Sequence, residues 1–149
     1  MILPRLRQVA LVARDLDSAC AQIESELGAR NPFHDPGVRE FGLHNAVYEL
    51  GDTFLEVVSP ITEGTTAGRY LERCGGDAGY MALFQVADTA HTRRTADSVG
   101  VRVVWQIDLP DISGTHLHPA DTRGALLTAL AVATRYDEGR PFKTGVFQV

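Results

Sequence analysis

Glu56 is the residue best placed to do chemistry in this chain. It is a carboxylate in the middle of the apolar run Thr53-Phe54-Leu55-Glu56-Val57-Val58. Burying a carboxylate is costly unless it is paired, hydrogen-bonded or protonated. A buried Glu56 is therefore either a polar anchor for a ligand or a general base that takes a proton beside a carbonyl. The alternative is a glutamate on a solvated sheet face. His116 and His118 stand two apart, on one side of any strand that carries both. With His44 they could compose a three-histidine metal site. They read better as hydrogen-bonded strand and turn histidines, since the hairpin puts His44 on the face opposite Glu56 and no fourth ligand is evident. His34 reads as a loop residue and His91 as a helix-surface residue.

These residues belong to a chain that repeats itself. Residues 8–15, Gln-Val-Ala-Leu-Val-Ala-Arg-Asp, match residues 81–88, Met-Ala-Leu-Phe-Gln-Val-Ala-Asp, and Leu27-Gly28-Ala29-Arg30 matches Val99-Gly100-Val101-Arg102. Phe54-Leu55-Glu56-Val57-Val58 likewise matches Leu126-Leu127-Thr128-Ala129-Leu130. Such internal similarity marks a duplicated supersecondary unit. Gln8, Glu56, Met81 and Thr128 fall on four equivalent positions, and His44 corresponds to His116.

Each half reads as strand, helix and three strands. In the first, a strand over 6–13 leads to a helix capped by Asp15 or Asp17, with Leu16, Ala19, Ile23 and Leu27 at helical spacing and Gly28 ending it. Strands follow near 39–43, 44–50 and 53–59. The second half gives strand 79–86, helix 89–99, and strands 101–107, 113–118 and 124–131. Residues 60–78 link the halves, with a helical turn around Ala67–Arg73. The expectation is an α+β fold: one domain over residues 1–149, made of module 5–59 and module 79–131, linker 60–78 and tail 132–149. Two βαβββ modules must bury their apolar faces together. That predicts a curved, eight-stranded open barrel or cup with helices on the convex face and a ligand cavity on the concave one.

Gly51-Asp52 sets the faces. As a two-residue hairpin turn it pairs Leu50 with Thr53, so alternation puts Asn45, Val47, Glu49, Phe54, Glu56 and Val58 on one side. Tyr48, Leu50, Leu55 and Val57 take the other side, suited to packing under a helix. On Glu56, desolvation opposes the charged form, and hydrogen bonds from Gln8 or Asn45 favour it.

Composition excludes several classes. The net charge of −5, with scattered Lys and Arg, argues against nucleic acid. No run of about 18 apolar residues is present to span a membrane, and the start of the chain has no signal-peptide pattern. Two cysteines, Cys20 and Cys74, without a surrounding motif fit a reducing, cytoplasmic setting.

Leu6-Arg7-Gln8-Val9-Ala10-Leu11-Val12-Ala13-Arg14-Asp15-Leu16 resembles the opening strand of vicinal-oxygen-chelate proteins, the glyoxalase, bleomycin-resistance and dioxygenase superfamily. There a metal-binding histidine stands at the place of Gln8. Gly51-Asp52-Thr53-Phe54-Leu55-Glu56-Val57-Val58-Ser59-Pro60 is similar to the fourth strand, with a Glu or Gln ligand at the place of Glu56. Tyr70-Leu71-Glu72-Arg73, followed by Gly79-Tyr80-Met81-Ala82-Leu83-Phe84, resembles methylmalonyl-CoA epimerases, where Met81 takes a ligand histidine's place. His116-Leu117-His118-Pro119 and Gly124-Ala125-Leu126-Leu127-Thr128 resemble the epimerase ending, with Thr128 in place of a ligand glutamate.

The resemblance implies a divalent cation that Gln, Glu, Met and Thr hold poorly. No metal and no cofactor is therefore expected. The expected function is that of a divergent glyoxalase/bleomycin-resistance-like protein binding a small organic ligand in the cup. Glu56 is the candidate catalytic residue, and Gln8, Asn45, Val47, Phe54, Met81, Thr128 and His118 are the candidate ligand-binding residues. The alternative is a lyase or isomerase, epimerase- or glyoxalase-like, acting on a carbonyl or acyl-thioester substrate with Glu56 as general base. A third reading is an interaction module whose cup its own side chains fill. A homodimer is expected, with the tail after Ala131 across its interface.

Overall fold

A computed structural model describes residues 3–124 and 126–132. Among these are seven strands, three α-helices and one 3₁₀ helix. They group into two compact units: residues 10–80, and residues 3–9 together with 81–132. Strand β1, Arg5–Val12, passes from one unit to the other between Val9 and Ala10.

In the unit of residues 10–80, helix α1 spans Leu16–Leu27. The Asp15 carboxylate accepts from Ser18 N at 2.7 Å, satisfying a backbone donor that the first turn leaves open. Gly28 closes the helix at φ 70°, in the left-handed region where glycine carries no Cβ penalty. Strands β2 (Leu43–Leu50) and β3 (Thr53–Pro60) form a hairpin whose register pairs Leu50 with Thr53 and Val47 with Glu56. The Gly51-Asp52 turn and the two faces are as expected. Ala46, Tyr48 and Val57 pack with Ala13 and Leu16 beneath α1, joined by Ala19, Ile23 and Leu55. Full burial contributes roughly 1.5–3 kcal/mol for a large side chain, so this seam fixes the register. Leu50, at the hairpin end, is exposed instead. Helix α2, Thr66–Cys74, is capped by Thr65 Oγ1 and ended by Gly75.

The strand expected near 39–43 is a correction. Pro36–Phe41 is a 3₁₀ helix, capped by Asp35 and terminated by Gly42 at φ 70°. The Asp35 side chain accepts from Gly37 N at 2.9 Å, and this local bond wins over strand pairing. In place of the eighth strand, Phe33 makes a single antiparallel bridge to Val47 on the β2 edge.

In the other unit, strand order is β4-β7-β6-β5, with β4 Ala78–Gln85, β5 Val103–Asp108, β6 Ile112–Leu117 and β7 Leu126–Val132. β4 runs parallel to β7, and the other pairs are antiparallel. Helix α3, Thr89–Ser98, covers one side of these strands. Thr89 Oγ1 meets Ser113 Oγ at 2.7 Å, and the Arg93 guanidinium donates to Gly114 O at 2.8 Å. Register places Met81, Leu83, Gln85, Leu126, Thr128, Leu130, His116 and Trp105 on the opposite side. No described helix is long and apolar enough to cross a membrane.

Candidate functional site

Glu56 is 1% exposed. Asn45 Nδ2 donates to its Oε1 at 2.6 Å. Asn45 stands opposite Val58 in the register, so the two side chains meet diagonally on one face of the hairpin. Asn45 is itself fixed twice: its Oδ1 accepts from Asp35 N at 2.9 Å, and its backbone oxygen lies 2.6 Å from His34 Nδ1. Val47, Phe54 and Val58 share the face and are buried. Asn45 also lines a cavity of about 310 Å³ with Asp17, His34, Asp35, Arg39 and His44. The sequence marked His34 as a loop residue, and its link to Asn45 through a main-chain oxygen carries no side-chain signature.

Tyr80, 6% exposed, lies within the field of Glu56. Burial, and next the Glu56 charge, push its hydroxyl up to about 12, against the Arg73 and Arg69 charges. At neutral pH it is therefore a protonated hydrogen-bond donor. Cys20, beneath the same sheet, has its thiol pushed up by burial, the opposite of what a nucleophilic cysteine needs.

In the four-stranded unit, Thr128 and His116 face each other across β7 and β6. Both are buried, and Thr128 Oγ1 lies 2.7 Å from His116 Nδ1. Trp105 stacks on the imidazole at 4.6 Å between centroids, 25° from parallel. Met81 and Gln8 are buried too. The His116–Trp105–Thr128 cluster was missed, because its register depends on the long β6–β7 loop.

His118 departs from expectation. β6 ends at Leu117, so His118 is a turn residue rather than a strand partner of His116. Pro119 follows it, and its Nδ1 accepts from Ala120 N at 3.1 Å. Asp121 on the same turn holds Arg102, which precedes β5, through both carboxylate oxygens, at 2.8 and 2.9 Å. His44 pairs with Ser59 and Val47 stands opposite Glu56, so the repeat does not make His44 the counterpart of His116. Among the described residues, no three His, Cys, Asp or Glu side chains are grouped to hold a metal.

No family model matches the chain. It is 30% identical over 131 residues to the ethylmalonyl-CoA/methylmalonyl-CoA epimerase of Cereibacter sphaeroides, covering 83% of this chain and 94% of that protein. A methylmalonyl-CoA epimerase solved with methylmalonyl-CoA and NH4+ superposes with TM-score 0.74 at 22% identity, covering 89% of this chain and 97% of that one. The methylmalonyl-CoA epimerase of Mycobacterium tuberculosis gives 0.72 at 20% identity, covering 88% and 89%. The fold is thus that of the vicinal-oxygen-chelate superfamily. Within it, the chain belongs to the methylmalonyl-CoA epimerase family.

The donor set does not fit the divalent cation that the superfamily implies. The Met81 thioether is a soft, weak ligand. The Thr128 hydroxyl is engaged by His116, and one Glu56 oxygen by Asn45. Within the unit of residues 10–80 Glu56 is the single member of the set, and Gln8, Met81 and Thr128 in the other unit offer one amide oxygen, a thioether and an engaged hydroxyl, so neither unit supplies the roughly four ligands a Zn²⁺ site requires.

Proposed function

We propose that this chain binds a small acyl thioester of the coenzyme A class without the superfamily's metal centre, with Glu56 as a polar anchor. The observation that carries this reading is the Asn45–Glu56 pair, a buried carboxylate held at 2.6 Å among apolar Val47, Phe54 and Val58. A fixed polar group in an apolar lining is how small-molecule sites gain orientation. The ligand class is taken from the relatives, whose names specify ethylmalonyl- and methylmalonyl-CoA. In the unit of residues 10–80 the proposed ligand-binding residues are Asn45, Val47 and Phe54; in the other unit they are Gln8, Met81, Thr128 and the turn residue His118. The working unit in this proposal is a homodimer in the cytoplasm.

A second reading makes Glu56 a general base, and the fixed orientation that Asn45 gives its carboxylate favours it. Calorimetric titration with methylmalonyl-CoA, together with deuterium incorporation at its acidic carbon in D2O, separates the two. Binding without exchange supports the binder. Exchange that Glu56→Gln abolishes, with binding retained, supports the base. No binding of either methylmalonyl-CoA or propionyl-CoA overturns both and leaves an interaction module.

A further inference from the structure

On the proposed acyl-thioester reading, the ligand's carbonyl oxygen accepts hydrogen bonds, and an ionised Glu56 has none to donate. We propose that Tyr80 is the donor: its hydroxyl hydrogen-bonds the carbonyl oxygen of a thioester anchored at Glu56, polarising that carbonyl as a cation otherwise would.

Tyr80 and Glu56 belong to the same unit, where β1 stands between β3 and the start of β4. Tyr80 is buried, and the negative charge of Glu56 acts on its hydroxyl. Among the described residues that hydroxyl makes no hydrogen bond, although a buried hydroxyl is costly to leave unbonded. Nor is its oxygen sealed from solvent, so a ligand atom can reach it. The ring is held by other means. It packs on Tyr70 with centroids 5.3 Å apart and 49° between the planes. Tyr70 is anchored in turn, its hydroxyl donating to Gly79 O at 2.9 Å and its ring centre lying 5.7 Å from the Arg73 guanidinium carbon. Orientation thus comes from the aromatic pair, and the hydroxyl is left for a ligand. Arg69 and Arg73, one turn apart on α2, also act on Tyr80 with their charges. Their field favours the negative charge that builds up on a polarised carbonyl oxygen. Glu56 works the other way and keeps the phenol protonated, which a donor requires.

The test compares methylmalonyl-CoA with its thioether analogue, in which a methylene replaces the thioester carbonyl. Calorimetry on the full chain should show wild type preferring the thioester. Tyr80→Phe keeps the ring against Tyr70, so it should lower thioester affinity about tenfold and leave thioether affinity within about threefold. A second readout is the carbonyl stretch of isotope-labelled thioester at saturation, followed by difference infrared spectroscopy. It should move to lower wavenumber in the wild-type complex and return toward the free value with Tyr80→Phe. An unshifted stretch in wild type, or the same shift in Tyr80→Phe, overturns the proposal. If Tyr80→Phe does not fold, Tyr70→Leu decides. Loss of the supporting ring should shrink the wild-type shift, and an undiminished shift overturns the proposal. Binding of neither compound sinks the underlying function as well, whereas equal binding of both by wild type sinks this inference alone.

Discussion

Asn45 and Glu56 sit on neighbouring strands, not directly opposite but two register positions apart on one face, and the amide of the first donates to the carboxylate of the second at 2.6 Å. A hydrogen bond to a charged group contributes about 1.5–3 kcal/mol when buried. Asn45→Leu should therefore destabilise the chain by about that amount in urea unfolding, and Glu56→Gln by less, since the amide keeps the volume. A double-mutant cycle should give a coupling of about 1–3 kcal/mol. Coupling near zero would show that the bond is idle.

Metal content is a direct check on the donor set. Protein purified without an affinity tag should carry no stoichiometric Zn, Mn, Co or Ni. Its thermal midpoint should not rise when these ions are added, because bound metal stabilises the folded state by mass action. Stoichiometric metal that Glu56→Ala removes would reverse the reading of Gln8, Met81 and Thr128.

Acid should loosen the β6–β7 turn. The Arg102 guanidinium, by hydrogen bond, holds the Asp121 carboxyl well below the usual range. A depressed carboxylate contributes stability above its unfolded value, near pH 4, and loses it as pH falls through the folded value. Wild type should thus be more heat-stable than Asp121→Asn at pH 7, with the gap closing only below about pH 4. A gap that is constant with pH would mean the pair contributes nothing specific. The pair is partly exposed, Arg102 more than Asp121, so salt should shrink the gap too.

Gly42 ends the 3₁₀ helix at φ 70°, and a Cβ there would run into Thr62 Oγ1 and Thr65 Cγ2. Gly28 has the same φ but nothing within contact distance. Gly28→Ala should cost about 1 kcal/mol from strain alone, and Gly42→Ala clearly more. Equal losses in thermal denaturation would show that the two threonines simply move aside.

Light scattering at tens of micromolar should give a homodimer mass. A monomer would remove the dimer from the proposed function. The part assigned to the tail lies outside the described residues, apart from Val132.

Helix α1 and the β2–β3 hairpin were legible because their signals are local: Asp15 and Gly28 at the helix ends, Gly51-Asp52 at the turn, and strict alternation between. The 39–43 segment departs from the expected strand because the Asp35-Pro36-Gly37 turn chemistry runs on into the 3₁₀ helix that Gly42 ends. The His116–Thr128 pair was illegible for a different reason. Cross-strand partners depend on how the connecting loop closes, and the eight residues between Leu117 and Leu126 leave the register open. His118 had a readable warning in Pro119, which follows it.

The unit that holds His116 is assembled from two distant pieces of chain, residues 3–9 and 81–132, with Arg5 bound to Gln85 across 80 positions. A nascent chain emerging from the ribosome therefore presents its first strand long before the partners of that unit exist. Closing so long a loop is a slow, entropically opposed step. Residues 5–9 should reach their full protection in hydrogen exchange only after synthesis has passed Gln85, when Arg5 gains its partner.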